Sequence, residues 1–271
     1  DYGSLKAASK FKGVDQILPD INEGEVCILI QSQNNNEKLL KEQVDKIKNA
    51  IKDYPTSHKA KFSFDESEFA NWWKIRKGIF PIAASAKRPG SSVITEDICF
   101  EIKDLGEGIK KLQELFDKHG FKDSAIIFGH ALAGNLHFII TPNLSQNVEF
   151  QNFSNLVKDM SIMVSNFGGS IKAEHGTGRM VAPFVELEWG AKAYAINKKI
   201  KEIFDPHTLI NPDVIISDDK DIFKKNIKQS ALIGNEFDEC VECGVCEKNC
   251  PSNKLTLSPR QSIALKREMQ R

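Results

Sequence analysis

Leu40, Val44, Ile47 and Ile51 recur at helical spacing across residues 37–53, which predicts an amphipathic helix with an apolar stripe facing a core. The apolar run 26–30 before it predicts a buried strand, and residues 59–64, past Pro55, predict a second. The first sixty-odd residues therefore read as one βαβ unit. Residues 69–77, with Trp72, Trp73 and Arg76, read as a short helix, and Pro81, Pro89 and Gly90 mark loop after it. From 93 to 102 the pattern switches to alternation, with Ile94, Ile98, Phe100 and Ile102 against Thr95, Asp97, Glu101 and Lys103. That is a strand with one wetter face. Leu105, Ile109, Leu112 and Phe116 mark a helix closed by Gly120. Two apolar runs, 125–128 and 138–140, then flank a tight glycine-rich loop. Phe153, Val157, Met160 and Val164 mark a longer helix over 150–167, stopped by Gly168 and Gly169. A last helix, 194–204, ends at Asp205-Pro206. Strand, helix, strand thus occurs twice. The simplest closure is an α+β fold, a ferredoxin-like antiparallel sheet with helices on one face.

Composition narrows the partners. The 271 residues, 41% of them hydrophobic, suffice for one large core or two smaller ones. Lys+Arg and Asp+Glu both number 37, so charge gives no argument for nucleic acid or an anionic membrane. No apolar run approaches the roughly eighteen residues of a membrane span. Residues 217–236 are charged and aperiodic, which divides the chain into a main domain, 1–217, a linker, 218–236, and a small, mostly helical C-terminal segment, 237–271. Four of the six cysteines fall between 240 and 250, while Cys27 and Cys99 lie alone in strand-like runs and are expected to be buried, reduced and inert. That usage suits a reducing compartment.

Two clusters carry candidate chemistry. Gly129-His130-Ala131-Leu132-Ala133-Gly134-Asn135-Leu136-His137 is answered by Glu174-His175-Gly176-Thr177-Gly178. His130 and His137 are seven apart, which on one continuous strand would put them on opposite faces. A turn at Ala133-Gly134 can bring both imidazoles to one side. Two imidazoles and the Glu174 carboxylate make a three-ligand set with an open position, the layout of a catalytic divalent metal. Taken singly, each histidine is more often a structural residue. The second cluster is Cys240-x-x-Cys243-x-x-Cys246-x-x-x-Cys250-Pro251. Its compact spacing lets one loop wrap corners of an iron–sulfur cubane; a zinc knuckle is the bland alternative. Cys250 either closes this cluster or serves a second one.

With those residues in view, the chain resembles the C-terminal half of FAD-linked oxidases related to vanillyl-alcohol oxidase. The branch is that of D-lactate and D-2-hydroxyglutarate dehydrogenases, in the long form with a fused ferredoxin-type 4Fe-4S segment. Four stretches carry the resemblance: residues 73–78, 129–137, 174–178 and 204–212. It implies that this chain is a cap domain, N-terminally truncated, that covers an upstream flavin-binding domain gripping FAD. The piece alone is then expected to be inactive. By the same resemblance, His130, His137 and Glu174 hold a divalent metal, often zinc; His175 is the base beside the flavin; Arg76 binds the substrate carboxylate; and Asn211 lies near the flavin ring. Cys240, Cys243, Cys246 and Cys250 hold the cluster. The implied reaction oxidises a small D-2-hydroxy acid, with electrons leaving through FAD and the cluster to a quinone or cytochrome. The implied location is cytoplasmic, peripheral at the inner face of the membrane.

The chain departs from the family at three points. Ala131, Leu132 and Ala133 replace the middle of the usual histidine loop, Phe80 stands where the hydroxyglutarate enzymes carry a threonine, and Thr95 stands near a substrate-binding lysine position. Fewer polar groups for a distal carboxylate favour D-lactate over D-2-hydroxyglutarate. Two rivals remain at this stage: an electron-transfer or interaction module in which only the cysteine run acts, and a zinc hydrolase built on the same metal trio.

Overall fold

In the computed structural model, which describes residues 1–9, 22–85 and 87–270, the chain begins in helices: α1 (Tyr2–Ser9), α2 (Glu37–Ile51) and α3 (Glu66–Ser85). α1, α2 and most of α3 belong to the first of two units, Asp1–Ile82; the second is Ala83–Arg271. Asn36 starts α2, its side-chain oxygen accepting from the amides of Lys38 and Leu39. The helix forms as expected, but none of its residues is buried.

The flanking strands do not form. Residues 26–30 and 59–64 carry no strand, and Val26, Ile28 and Ile30 are exposed, as is Cys27, against the expectation of burial. The expected βαβ unit is therefore absent among the described residues. An apolar run is compatible with a strand, but a strand exists only where a neighbour pairs with its backbone. α3 also outruns its predicted end, continuing through Pro81 to Ser85 with one amide donor missing.

The second unit follows the predicted order. β1 (Ile94–Cys99), α4 (Leu105–Lys118), β2 (Ile126–His130), β3 (Asn135–Ile140) and α5 (Asn147–Asn166) succeed one another, and the strands form an antiparallel sheet in the order β1-β3-β2. Ile94 pairs with Ile140 and Ile98 with Leu136, while Ile127 pairs with Phe138. That face packs on Leu112 and Phe116 of α4 and on Phe153, Leu156, Val157, Met160 and Val164 of α5. Burying each such side chain stabilises the fold by about 1.5–3 kcal/mol.

After α5 the chain returns to the outer edge of β1, where Cys99 and Ser170 exchange two backbone hydrogen bonds of 2.9 Å. This is where the fourth strand of a ferredoxin-like sheet would pair, reduced to one bridge. Gly169 permits the approach: a Cβ there would sit 2.4 Å from the Cys99 carbonyl oxygen. α6 (Val185–Phe204) follows, interrupted at Gly190, which has φ 77°. The stretch 218–236 sends Ile222 and Phe223 inward, and Phe223 joins the core of the sheet. Two 3-10 turns, Asn235–Glu239 and Val245–Asn249, precede α7 (Pro259–Met269). Among the described residues no helix is long and apolar enough to cross a membrane.

Candidate functional site

The histidine loop is a hairpin. β2 ends at His130, a 3-10 turn spans Ala131–Ala133, and Gly134 turns left-handed at φ 67° into β3. A Cβ on Gly134 would lie 2.0 Å from the Phe100 carbonyl oxygen, so only glycine fits both the dihedral and the space. The register then sets the faces. His137 pairs with Phe128 on one side and Asp97 on the other, and His130 pairs with Asn135. Paired residues share a face, as do residues two apart. His130, His137 and Asp97 therefore all emerge on the face opposite the core, as the turn at Ala133-Gly134 was expected to allow.

Glu174 and His175 reach that face from the edge bridge. Asp97, fully buried, accepts from three consecutive amides: Ala173 at 3.4 Å, Glu174, and His175 at 3.2 Å. Glu188 of α6 holds the start of the same stretch, accepting from the Ile171 amide at 2.8 Å and the Ser170 hydroxyl at 3.0 Å. Glu174 Oε1 thereby stands 2.8 Å from His137 Nε2 and 3.8 Å from His130 Nε2. The His175 ring stacks on His137 with centroids 4.9 Å apart, and its Nδ1 lies 3.8 Å from Asp97 Oδ1. Ligand atoms of Asp97, His137, Glu174 and His175 all fall within 4.8 Å of one another. The sequence motifs missed Asp97. Its only signal was its place on the wetter face of β1.

Burial grades across the cluster, from Asp97 at 0% side-chain exposure and His137 at 6% to Glu174 at 53% and His130 at 55%. Burial holds the His137 imidazole below its usual range; the Glu174 and Asp97 charges oppose this, and His175 and His130 add to it. A neutral imidazole is the form that ligates metal. In a tetrahedral zinc site with bonds of about 2.0–2.1 Å, neighbouring ligand atoms stand roughly 3.3 Å apart. The two Glu174–histidine separations bracket that spacing, while the group within 4.8 Å takes in Asp97 and His175 rather than His130. Lys172, two residues before Glu174, forms a buried contact ion pair with Glu96. Burial pulls the Lys172 ammonium down to about 8.

The remaining predicted residues are on other elements. Arg76 is half-buried on α3, in the first unit. Asn211 sits in an exposed turn at φ 43°. The turn is anchored by Asp205, which accepts from the amides of Leu209 and Ile210, both at 2.9 Å, and pairs with Lys201 at 2.5 Å. The Lys201 contact, helped by those amides, lowers Asp205 to about 2. The four clustered cysteines are free thiols, Cys240 and Cys250 half-buried, Cys243 and Cys246 exposed. The Glu242 amide donates to Cys240 Sγ at 3.4 Å, and Cys250 Sγ lies 3.2 Å from the Ser252 hydroxyl. All four are thus present as thiols on one stretch of chain, with a backbone donor aimed at the first sulfur.

Relatives with known names match at low identity. A glycolate oxidase subunit GlcD of Bacillus subtilis is 27% identical over 47% of this chain and 27% of its own length. A D-2-hydroxyglutarate dehydrogenase of Escherichia coli is 24% identical over 94% of this chain and 28% of its own. A mitochondrial D-lactate dehydrogenase (cytochrome) of Arabidopsis thaliana is 29% identical over 53% and 25%. The chain thus spans about a quarter of the length of these proteins. The model of the C-terminal domain of FAD linked oxidases matches residues 1–215, a stretch that contains the hairpin histidines, Glu174 and His175, and the chain belongs to that family.

Proposed function

We propose that the chain is the substrate-side part of a flavin-dependent dehydrogenase that oxidises a D-2-hydroxy acid to the 2-oxo acid. The observation that carries this reading is Glu174 Oε1 facing both His137 and His130, with His175 stacked alongside. His130, His137 and Glu174 would hold a divalent ion, zinc by donor type, whose charge polarises the substrate oxygens. FAD, gripped by a separate flavin domain, supplies the hydride acceptor. His175 takes the proton of the substrate hydroxyl, its loop fixed by Asp97. Arg76 is assigned the substrate carboxylate because a guanidinium pairs with it through two parallel hydrogen bonds. Asn211 is assigned to the flavin side. D-lactate is preferred to D-2-hydroxyglutarate, given Phe80 and Thr95 at positions where polar groups would meet a distal carboxylate. Cys240, Cys243, Cys246 and Cys250 would hold a 4Fe-4S cluster, which would supply a one-electron carrier between the flavin and a quinone or cytochrome. Family membership favours this over the hydrolase and over a bare electron-transfer module.

The test is made in the enzyme complete with its flavin domain. His130→Ala, His137→Ala and Glu174→Gln should each lower metal content and abolish D-2-hydroxy acid oxidation, while flavin content holds. Full turnover in metal-free His137→Ala enzyme would refute the assignment. A higher kcat/KM for D-2-hydroxyglutarate than for D-lactate would overturn the substrate preference alone.

A further inference from the structure

Two buried cations lie beneath the cysteine loop, and the chemistry proposed above uses neither. Arg267, on the last turn of α7, is 3% exposed, and Lys87, just ahead of β1, is 6% exposed. Full burial of either residue type is rare unless it is paired. Arg267 Nη2 donates to the carbonyl of Cys240 at 2.9 Å and of Phe237 at 3.1 Å; Nη1 meets Glu242 Oε1 at 3.0 Å. Its Nε is buried without a partner among the described residues. Lys87 Nζ donates to the Asp238 carbonyl at 2.6 Å. The two cations therefore grip the backbone at 237, 238 and 240 around the first cysteine.

The nearby anions are largely committed. The Asp238 carboxylate accepts from the amides of Ile233 and Gly234. Glu242 is shared between Arg267 and Lys228, and Glu247 is held by Arg260 and Ser258 at the start of α7. α7 is thus bound to the loop at both ends, with its own start fixed by a Ser258–Gln261 capping box and Pro259.

We propose that Arg267 and Lys87 form a cationic seat that fixes the fold of the loop around Cys240 and raises the reduction potential of the cluster bound there. The proposal rests on the iron–sulfur reading of the cysteine run. Reduction adds negative charge to a cluster, and a fixed positive charge in a poorly hydrated place stabilises that added charge more than it would in water. Carbonyl anchoring of the first ligand's backbone restricts the conformations open to the loop that carries the thiolates. Arg267 and Lys87 are positioning residues here, since neither ligates iron.

The test uses the full chain reconstituted anaerobically with iron and sulfide, beside Arg267→Gln, Arg267→Lys and Lys87→Gln. Iron and sulfide content and an EPR-monitored redox titration are the readouts. Arg267→Gln and Lys87→Gln should both shift the midpoint to more negative potential, and Arg267→Lys, which keeps the charge, should shift it less. Loss of iron from Arg267→Gln, with its circular dichroism unchanged, would support the anchoring role, leaving Lys87→Gln to report the charge effect. Wild-type midpoints in both Gln variants would overturn the proposal while leaving the cluster reading intact. A wild-type chain that takes up zinc and no iron would remove both.

Discussion

Gly134 shows how much one residue decides. Its left-handed backbone closes the hairpin with the register that puts His130 and His137 on one face, and its missing side chain leaves room for the Phe100 carbonyl. Gly134→Ala should cost about 1–2 kcal/mol for the dihedral alone, and more because the Phe100 carbonyl must move. Urea unfolding measures it, and an unchanged midpoint would contradict this account of the turn. At the same scale, the motif residues His130, His137, Glu174 and His175 were legible from their glycine-rich setting. Asp97 was not, because one aspartate on an alternating strand looks like any solvated polar position. Only the three-dimensional return of 173–175 to β1 gives it a role.

Elements were legible where local pattern and long-range packing agree. α4 and α5 carry apolar stripes, and both stripes meet the sheet. α2 carries an equally regular stripe, yet Leu40, Val44, Ile47 and Ile51 are only half-buried, since periodicity records an amphipathic face and not how fully a partner covers it. The strands expected at 26–30 and 59–64 fail for the same reason. The end of α6 makes a prediction at this scale. Asp205 is held near 2 against an ordinary value of 3.8 by Lys201 and the amides of Leu209 and Ile210. A carboxylate with a lowered folded value stabilises fully above its unfolded value, so this contribution should fade as pH falls from 3.8 through about 2. Asp205→Asn should be less stable than wild type near neutral pH, and the gap should close on acidification. A gap of equal size at about pH 5 and about pH 2 would show that Asp205 does not act through its charge.

For the whole molecule, the ferredoxin-like reading holds in the order β-α-β-β-α and in the antiparallel sheet, with helices on one face. What the pattern could not supply is the size of the last pairing, because residues 168–175 are too short and too glycine-rich to read as a strand. That pairing has a consequence in time. The backbone of the Glu174–His175 stretch pairs with the sheet through one two-bond bridge and is otherwise held by side chains: Asp97, Glu188 and the Lys172–Glu96 pair. Segments with so little backbone pairing open more often than the strands they hang from. Amides 173–175 should exchange with deuterium faster than those of β3, yet slow down when metal is added, since a ligand that grips Glu174 closes the same opening. Equal exchange rates with and without zinc would mean that the ion, if bound, does not hold this edge.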